Sequence, residues 1–319
     1  MASAVSPPSK QTLRRHFWLA APLSLLTLGL GQVYVGRARW AACFLGAWLV
    51  FLGLLLTPVP STFPGFVVSY FGLWGVHLLS AAHAGFTAWR EPLIEPQSYH
   101  RWYFYVGYVV GCAAIMVGAI FVAIDVGGYR VFRASSRAMV PALNEGELFF
   151  VQTARGATKS ELETWLGSIV VVSWPYEQGA FVYRLIAVGG QSVDDFNGAI
   201  HVNGKPLDQK ALCTVLDAAS GTTARRSIET VAGRRYVVQN FDDYIRDTDA
   251  VAIPEDQFYV LGDTRENSYD SRFRGPVVNS DYAGRALFII WSNDWGRIGT
   301  SLTPGPSVDR AAYCPPAAK

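Results

Sequence analysis

The sequence predicts two regions of different class: an α-helical membrane region over residues 1–125 and a mostly-β extracytoplasmic domain over residues 126–319. Three observations carry that reading. From Trp40 to Trp89 there is no Asp, Glu, Lys or Arg. Trp102–Ile124 (WYFYVGYVVGCAAIMVGAIFVAI) is a second uncharged apolar run. From Tyr129 the pattern changes to short β-branched and aromatic runs separated by turn residues, with the charge of an ordinary soluble domain.

A spanning helix needs about 20 apolar residues. Three segments meet that need, at about 40–57, 66–87 and 102–124, the first ended by Pro58 and Pro60. The segment 17–36 is long enough to cross, but Pro22 and Gly29-Leu30-Gly31-Gln32 interrupt its pattern. Lys10, Arg14, Arg15, Arg37 and Arg39 flank it on both sides, Arg90 and Arg101 precede the last run, and Pro58–Gly65 carries no charge. The positive-inside rule then places the basic stretches in the cytoplasm, the β domain outside, and 17–36 as a re-entrant hairpin, the alternative being a fourth span. Gly29–Ala41 (GLGQVYVGRARWA) is similar to a short module of bacterial membrane proteins, a Gly-rich turn between two apolar helices. A cleavable signal peptide is not expected, because the apolar region is too long and no small-x-small site precedes a soluble start. His77 and His83 lie in an apolar run without an acidic partner, which favours neutral histidines facing other helices over a proton relay.

In the second region the expected strands are Leu148–Gln152, Ser168–Ser173, Ala180–Val188, Ala199–Val202, Tyr236–Gln239, Gln257–Leu261 and Ala286–Trp291. Asn203-Gly204 marks a hairpin turn, since both residues tolerate positive φ. A helix is expected near Lys159–Trp165, and the polar stretch Asp208–Arg235 reads as an irregular loop or small subdomain. The net charge of +2 excludes a global basic field for nucleic acid. Cys43 and Cys112 lie inside apolar runs, whereas Cys213 and Cys314 can form a disulfide in an oxidising compartment. No CxxC or His/Cys cluster points to a metal, and no cofactor is expected.

Two stretches carry a family resemblance. Leu261–Val277 (LGDTRENSYDSRFRGPV) resembles the GDNRxxSxDSRxxG signature of the type I signal peptidases, with Thr264 in place of Asn. Ser136–Phe150 (SRAMVPALNEGELFF) resembles the SxSMxPTLxxGD motif around that family's nucleophile. Gly167–Trp174 and Phe181–Gly190 resemble the strand GDxVVF and the motif YxKRxxGxPGD. The matches run through Phe132–Trp291 in the family's order and imply its β fold.

In that family a Ser hydroxyl attacks the scissile carbonyl and a neutral Lys, its pKa lowered by burial, takes the proton. The resemblance puts Ala138 at the nucleophile position and Tyr183 at the general-base position. A methyl group cannot attack a carbonyl, and a phenol of pKa near 10 is a poor base at neutral pH. Ser136 falls at the position whose hydroxyl supports the oxyanion, Ser268 at the partner of the lysine amine, and Asp270 with Arg272 at a pair holding the loop. Met139, Pro141, Gly262 and Asp263 are carried over as substrate-side residues. Phe132, Phe149, Phe150 and Trp174 lie where the family rests on lipid, although strand aromatics at such spacing are more often core.

The resemblance implies a signal peptidase I homologue of the bacterial cytoplasmic membrane, multi-pass and catalytically inactive, that keeps a cleft for signal-peptide-bearing preproteins or for another membrane protein. Strand addition needs only backbone hydrogen bonds and shape, so binding can outlast the dyad. Two alternatives stand beside it: a residual peptidase using Ser136 or an unconventional base, and a structural membrane module.

Overall fold

The structure is a computed structural model that describes residues 12–125, 128–174, 179–217, 220–241 and 247–314; Lys10 lies outside them. The chain divides into two compact units, Met1–Gly127 and Gly128–Lys319.

The first unit is built from α1 (Phe17–Leu26), α2 (Leu30–Tyr34), α3 (Ala38–Leu54), α4 (Phe63–Arg90) and α5 (Trp102–Asp125). Helices α4 and α5 are long and apolar enough to cross a bilayer, whereas α1 and α3 are shorter apolar helices of 10 and 17 residues. Thr62 caps α4, its hydroxyl accepting from Gly65 N–H at 3.3 Å. The segment 17–36 is a helical hairpin. Gly29 takes the left-handed conformation between α1 and α2, with φ 83°. A side chain on Gly31 would collide with the Ala20 carbonyl and the Ser24 hydroxyl, so α2 can lie directly against α1. The buried Gln32 amide is satisfied across three helices: its oxygen accepts from Ser24 (2.9 Å) and Ser80 (3.1 Å), and its nitrogen donates to the Ser80 carbonyl at 2.6 Å. Leu13–Arg14 pairs with Leu93–Ile94, and Arg37 meets Glu91 at 2.6 Å. Both ends of the hairpin therefore stand at the Arg90 end of α4.

The second unit is mostly antiparallel β. Its main sheet has seven strands in the order Val277–Val278, Gln257–Leu261, Phe181–Val188, Ile169–Val172, Tyr282–Trp291, Leu148–Thr153, Tyr129–Arg133. A four-stranded sheet orders Thr248–Ala252, Ser192–Phe196, Ala199–Val202 and Lys205–Pro206, the last two joined by Asn203 and Gly204 at φ 54° and 69°. The helix Lys159–Thr164 begins with a Thr158/Glu161 capping box. The stretch expected to be irregular is instead a third sheet, Asp208–Leu216, Thr223–Val231 and Arg234–Phe241. Exposed polar residues such as Asp208, Gln209 and Lys210 mask its strand pattern, and its pairing with Thr223–Val231 supplies what local propensity lacks. A disulfide joins Cys213 of this sheet to Cys314.

One core cluster joins the three sheets, with Ile186, Val193 and Val238, and two others pack on the main sheet. Phe149 and Phe150 are buried, Phe132 packs against a cluster with Met139 and Leu143, and Trp174 against one with Leu162 and Tyr183. Phe149 and Phe150 are thus core residues, while Phe132 and Trp174 are partly buried at the edge of those clusters.

Candidate functional site

Three stretches distant in sequence converge at one place. The loop Ser136–Pro141 leaves the edge strand Tyr129–Arg133 with Ser135 and Ser136 exposed, then turns inward. Met139 and Val140 are buried, and the Val140–Pro141 peptide is cis. Thr264 ties the loop down: its N–H donates to the Ala138 carbonyl at 2.9 Å, and its hydroxyl lies 2.8 and 3.0 Å from the Val140 and Arg137 carbonyls. In the sequence Thr264 reads only as a departure from a motif. Its anchoring role shows once the two loops stand side by side.

Tyr183 and Arg184 alternate on the central strand, so their side chains leave opposite faces. Pairing of Val170 with Tyr183, and of Leu261 with Arg184, sets their register. Tyr183 is buried, and its hydroxyl donates to the Tyr269 carbonyl at 2.7 Å. Arg184, also buried, grips Asp263 with two hydrogen bonds of 2.6 and 2.5 Å, donates to the Gly167 carbonyl at 2.7 Å and lies 4.1 Å from the Tyr236 ring centre. Burial pushes the Asp263 carboxyl above the usual carboxylate range, and the Arg184 guanidinium opposes that rise.

The loop 262–274 closes around a second charge pair. Asp270 Oδ2 accepts from Gly262 N–H at 2.9 Å, and Asp270 holds Arg272 through bonds of 2.9 Å to Nε and Nη2. Arg272 also reaches the Arg265 carbonyl at 2.5 Å and Asp195 at 3.5 Å. Arg265 in turn pairs with buried Glu229 at 2.5 Å. A side chain on Gly262 would strike Ser268 and crowd the Ala138 carbonyl, so glycine permits this convergence. Ser268 is buried, and its Oγ has no hydrogen-bond partner among the described residues.

Above this floor is a cleft of about 190 Å³ whose walls include Ser135, Ser136, Ala138, Met139, Phe181 and Tyr183. The structure thus brings Ala138, Ser136 and Tyr183 to one cleft. Pro141, Gly262 and Asp263, expected on the substrate side, are instead buried beneath the cleft and do not line it; Asp263 is consumed by Arg184 and Gly262 by close packing. Ser268 does not meet the group at position 183, because the phenol reaches past it to the Tyr269 carbonyl. Among the described residues no lysine lines the cleft, and the one hydrogen bond of Ser136 Oγ is accepted from Ala138 N–H at 3.5 Å. Among the described residues that line the cleft there is no lysine, histidine or carboxylate to serve Ser136 as a base.

The family model for signal peptidase, peptidase S26, matches residues 105–291. The chain belongs to this family. Among its signal peptidase relatives, signal peptidase I of Leptolyngbya laminosa is 32% identical over 129 residues, 40% of this chain and 48% of that protein. A probable signal peptidase I-1 of Synechocystis sp. is 27% identical over 174 residues, 52% of this chain and 73% of the relative. The match with the first thus spans about half of that signal peptidase's length. A solved signal peptidase I from Enterococcus faecalis V583 is 22% identical, covering 37% of this chain and 92% of that one, with a TM-score of 0.26. The chain is a signal peptidase I homologue with the mostly-β fold of that family, preceded by apolar helices.

Proposed function

We propose that this signal peptidase homologue is catalytically inactive and serves as a membrane-anchored binder of extended polypeptide segments, those of signal-peptide-bearing preproteins or of a partner membrane protein. The observation that carries this reading is the pairing of a formed cleft with Ala138 and Tyr183 at its centre, the phenol committed to the Tyr269 carbonyl. Attack on a carbonyl requires a nucleophile within reach of a base, at about 2.6–3.2 Å. Ser136 meets no such base among the described residues, which weighs against a residual peptidase.

The apolar helices of the first unit support a place in the bacterial cytoplasmic membrane. In this reading α4 and α5 cross, the shorter 17-residue α3 crosses beside them, and α1–α2 is a re-entrant hairpin, because Arg14, Arg37 and Arg90 gather at one end of α4. The β domain then lies outside, where the Cys213–Cys314 disulfide suits an oxidising compartment.

The test is cleavage of a signal-peptide-bearing preprotein by the purified chain in detergent, beside the double variant Ala138→Ser/Tyr183→Lys. The expected result is no cleavage by the natural chain and cleavage by the variant. Cleavage by the natural chain overturns the reading and directs attention to Ser136.

A further inference from the structure

The last described residues of the chain form a strap between two sheets. Ser301 bridges to Phe288 on the main sheet, Gly305 bridges to Arg235 on the third sheet, and the one-turn helix Arg310–Tyr313 ends at Cys314, disulfide-bonded to Cys213. Beneath the strap is a cavity of about 200 Å³ whose lining includes Arg184, Tyr236, Pro304, Val308 and Tyr313. Arg184 comes from the main sheet and Tyr236 from the third, and the guanidinium stands 4.1 Å from the ring centre. The strap thus covers the seam at which the Arg184–Asp263 pair of the floor meets the third sheet.

The two ends of the strap are held unequally. Toward Ser301, Leu302 is buried and its N–H donates to the Leu287 carbonyl at 2.8 Å, and the Gly305 carbonyl accepts from Arg235 N–H at 2.8 Å. From Pro306 to Tyr313 no residue is buried. Apart from Cys213 itself, Arg226 alone among the described residues hydrogen-bonds this stretch to the sheet, at the Tyr313 carbonyl. The third sheet needs no such help, because Thr223–Val231 pairs with both of its neighbours along its length. A segment with few buried contacts and few hydrogen bonds opens at low free energy, so the Cys213–Cys314 bond is what keeps this end closed.

We propose that the strap is a latch set by thiol oxidation: the Cys213–Cys314 bond seals the Arg184–Tyr236 seam and thereby firms the floor of the peptide cleft. Closing the latch forms the sulfur–sulfur bond as the two thiols give up two protons and two electrons to an external disulfide, which is reduced to two thiols. Opening by a dithiol runs the same exchange in reverse. An open strap admits water to the guanidinium, and an ion pair in wetter surroundings holds Asp263 less firmly. The next residue, Thr264, anchors the Ala138 loop, so the loosening reaches the cleft. The coupling to the cleft rests on the peptide-binding reading above, whereas the opening of the strap does not.

The test compares the full chain in detergent before and after dithiothreitol, and beside Cys213→Ser/Cys314→Ser. Hydrogen exchange follows the strap, and fluorescence anisotropy follows binding of a labelled peptide that carries a pair of alanines. The expected result is local. Exchange rises about tenfold or more at residues 306–313 and at Arg235 N–H, while the strands Leu148–Thr153 and Tyr282–Trp291 stay protected. Peptide affinity falls about threefold to tenfold, the loss of one net hydrogen bond. The double variant matches the reduced chain and no longer responds to dithiothreitol, which assigns the effect to this bond rather than to Cys43 or Cys112. Unchanged exchange at 306–313 refutes the latch, and so does a rise throughout the β domain, which makes the disulfide a global staple. If the strap opens and affinity holds, the coupling to the floor is refuted. If no peptide binds in either state, the binding reading fails while the exchange still decides the latch.

Discussion

The floor of the site and the face of the cleft are built from neighbouring residues, and they compare unevenly with the family pattern. Arg184, Asp263, Asp270 and Arg272 form the floor, matching the family's motifs and making bidentate or multiple charged hydrogen bonds. Ala138 and Tyr183, each one residue from a motif position that matches, form the face and depart from it. The difference teaches that the motif contains two separable physical parts. A buried ion pair cannot lose one partner without stranding the other, whereas a nucleophile at a half-exposed position can become a methyl group at little cost to the fold.

Three substitutions test that division, in descending order of effect. Asp263→Ala strands the Arg184 guanidinium in the interior and should lower stability by about 3–5 kcal/mol, seen as a large fall in the thermal unfolding midpoint of the full chain in detergent. Tyr183→Phe removes one hydrogen bond and should cost about 1 kcal/mol, reporting how far the phenol has become part of the floor. Ala138→Ser should stay within about 0.5 kcal/mol of the natural chain, since the position is only half-buried. A loss at Ala138 equal to that at Asp263 would break the comparison, because face and floor would then be one cooperative structure.

Much of the architecture was legible in the sequence where the signal is local. Ala199–Val202 and Gln257–Leu261 form strands with the expected bounds, and Asn203-Gly204 makes the expected turn, because β-branched alternation and positive-φ residues act over a few positions. The sheet in Asp208–Phe241 was not legible past its last strand, because its other two strands present polar side chains and are fixed by one another. The site divides in the same way. The proposed assignment of Ala138 and Tyr183 to the dyad positions rests on motif spacing alone. That Thr264 anchors the Ala138 loop, that the Tyr183 hydroxyl meets the Tyr269 carbonyl, and that Ser268 is left without a partner depend on contacts over 86 residues or more, or on their absence.

The sequence by itself determined the two-region organisation, the short strands and turns, and the identity of Ala138 and Tyr183 beside the motif residues, since hydropathy, propensity and side-chain identity belong to each residue. Tertiary structure alone decided the order of the seven strands, the burial of Pro141, Gly262 and Asp263 beneath the cleft, and the cavity under the C-terminal strap. Those features arise where segments far apart in the chain meet, and no local pattern records which donor will find an acceptor there and which, like the Ser268 hydroxyl among the described residues, will not.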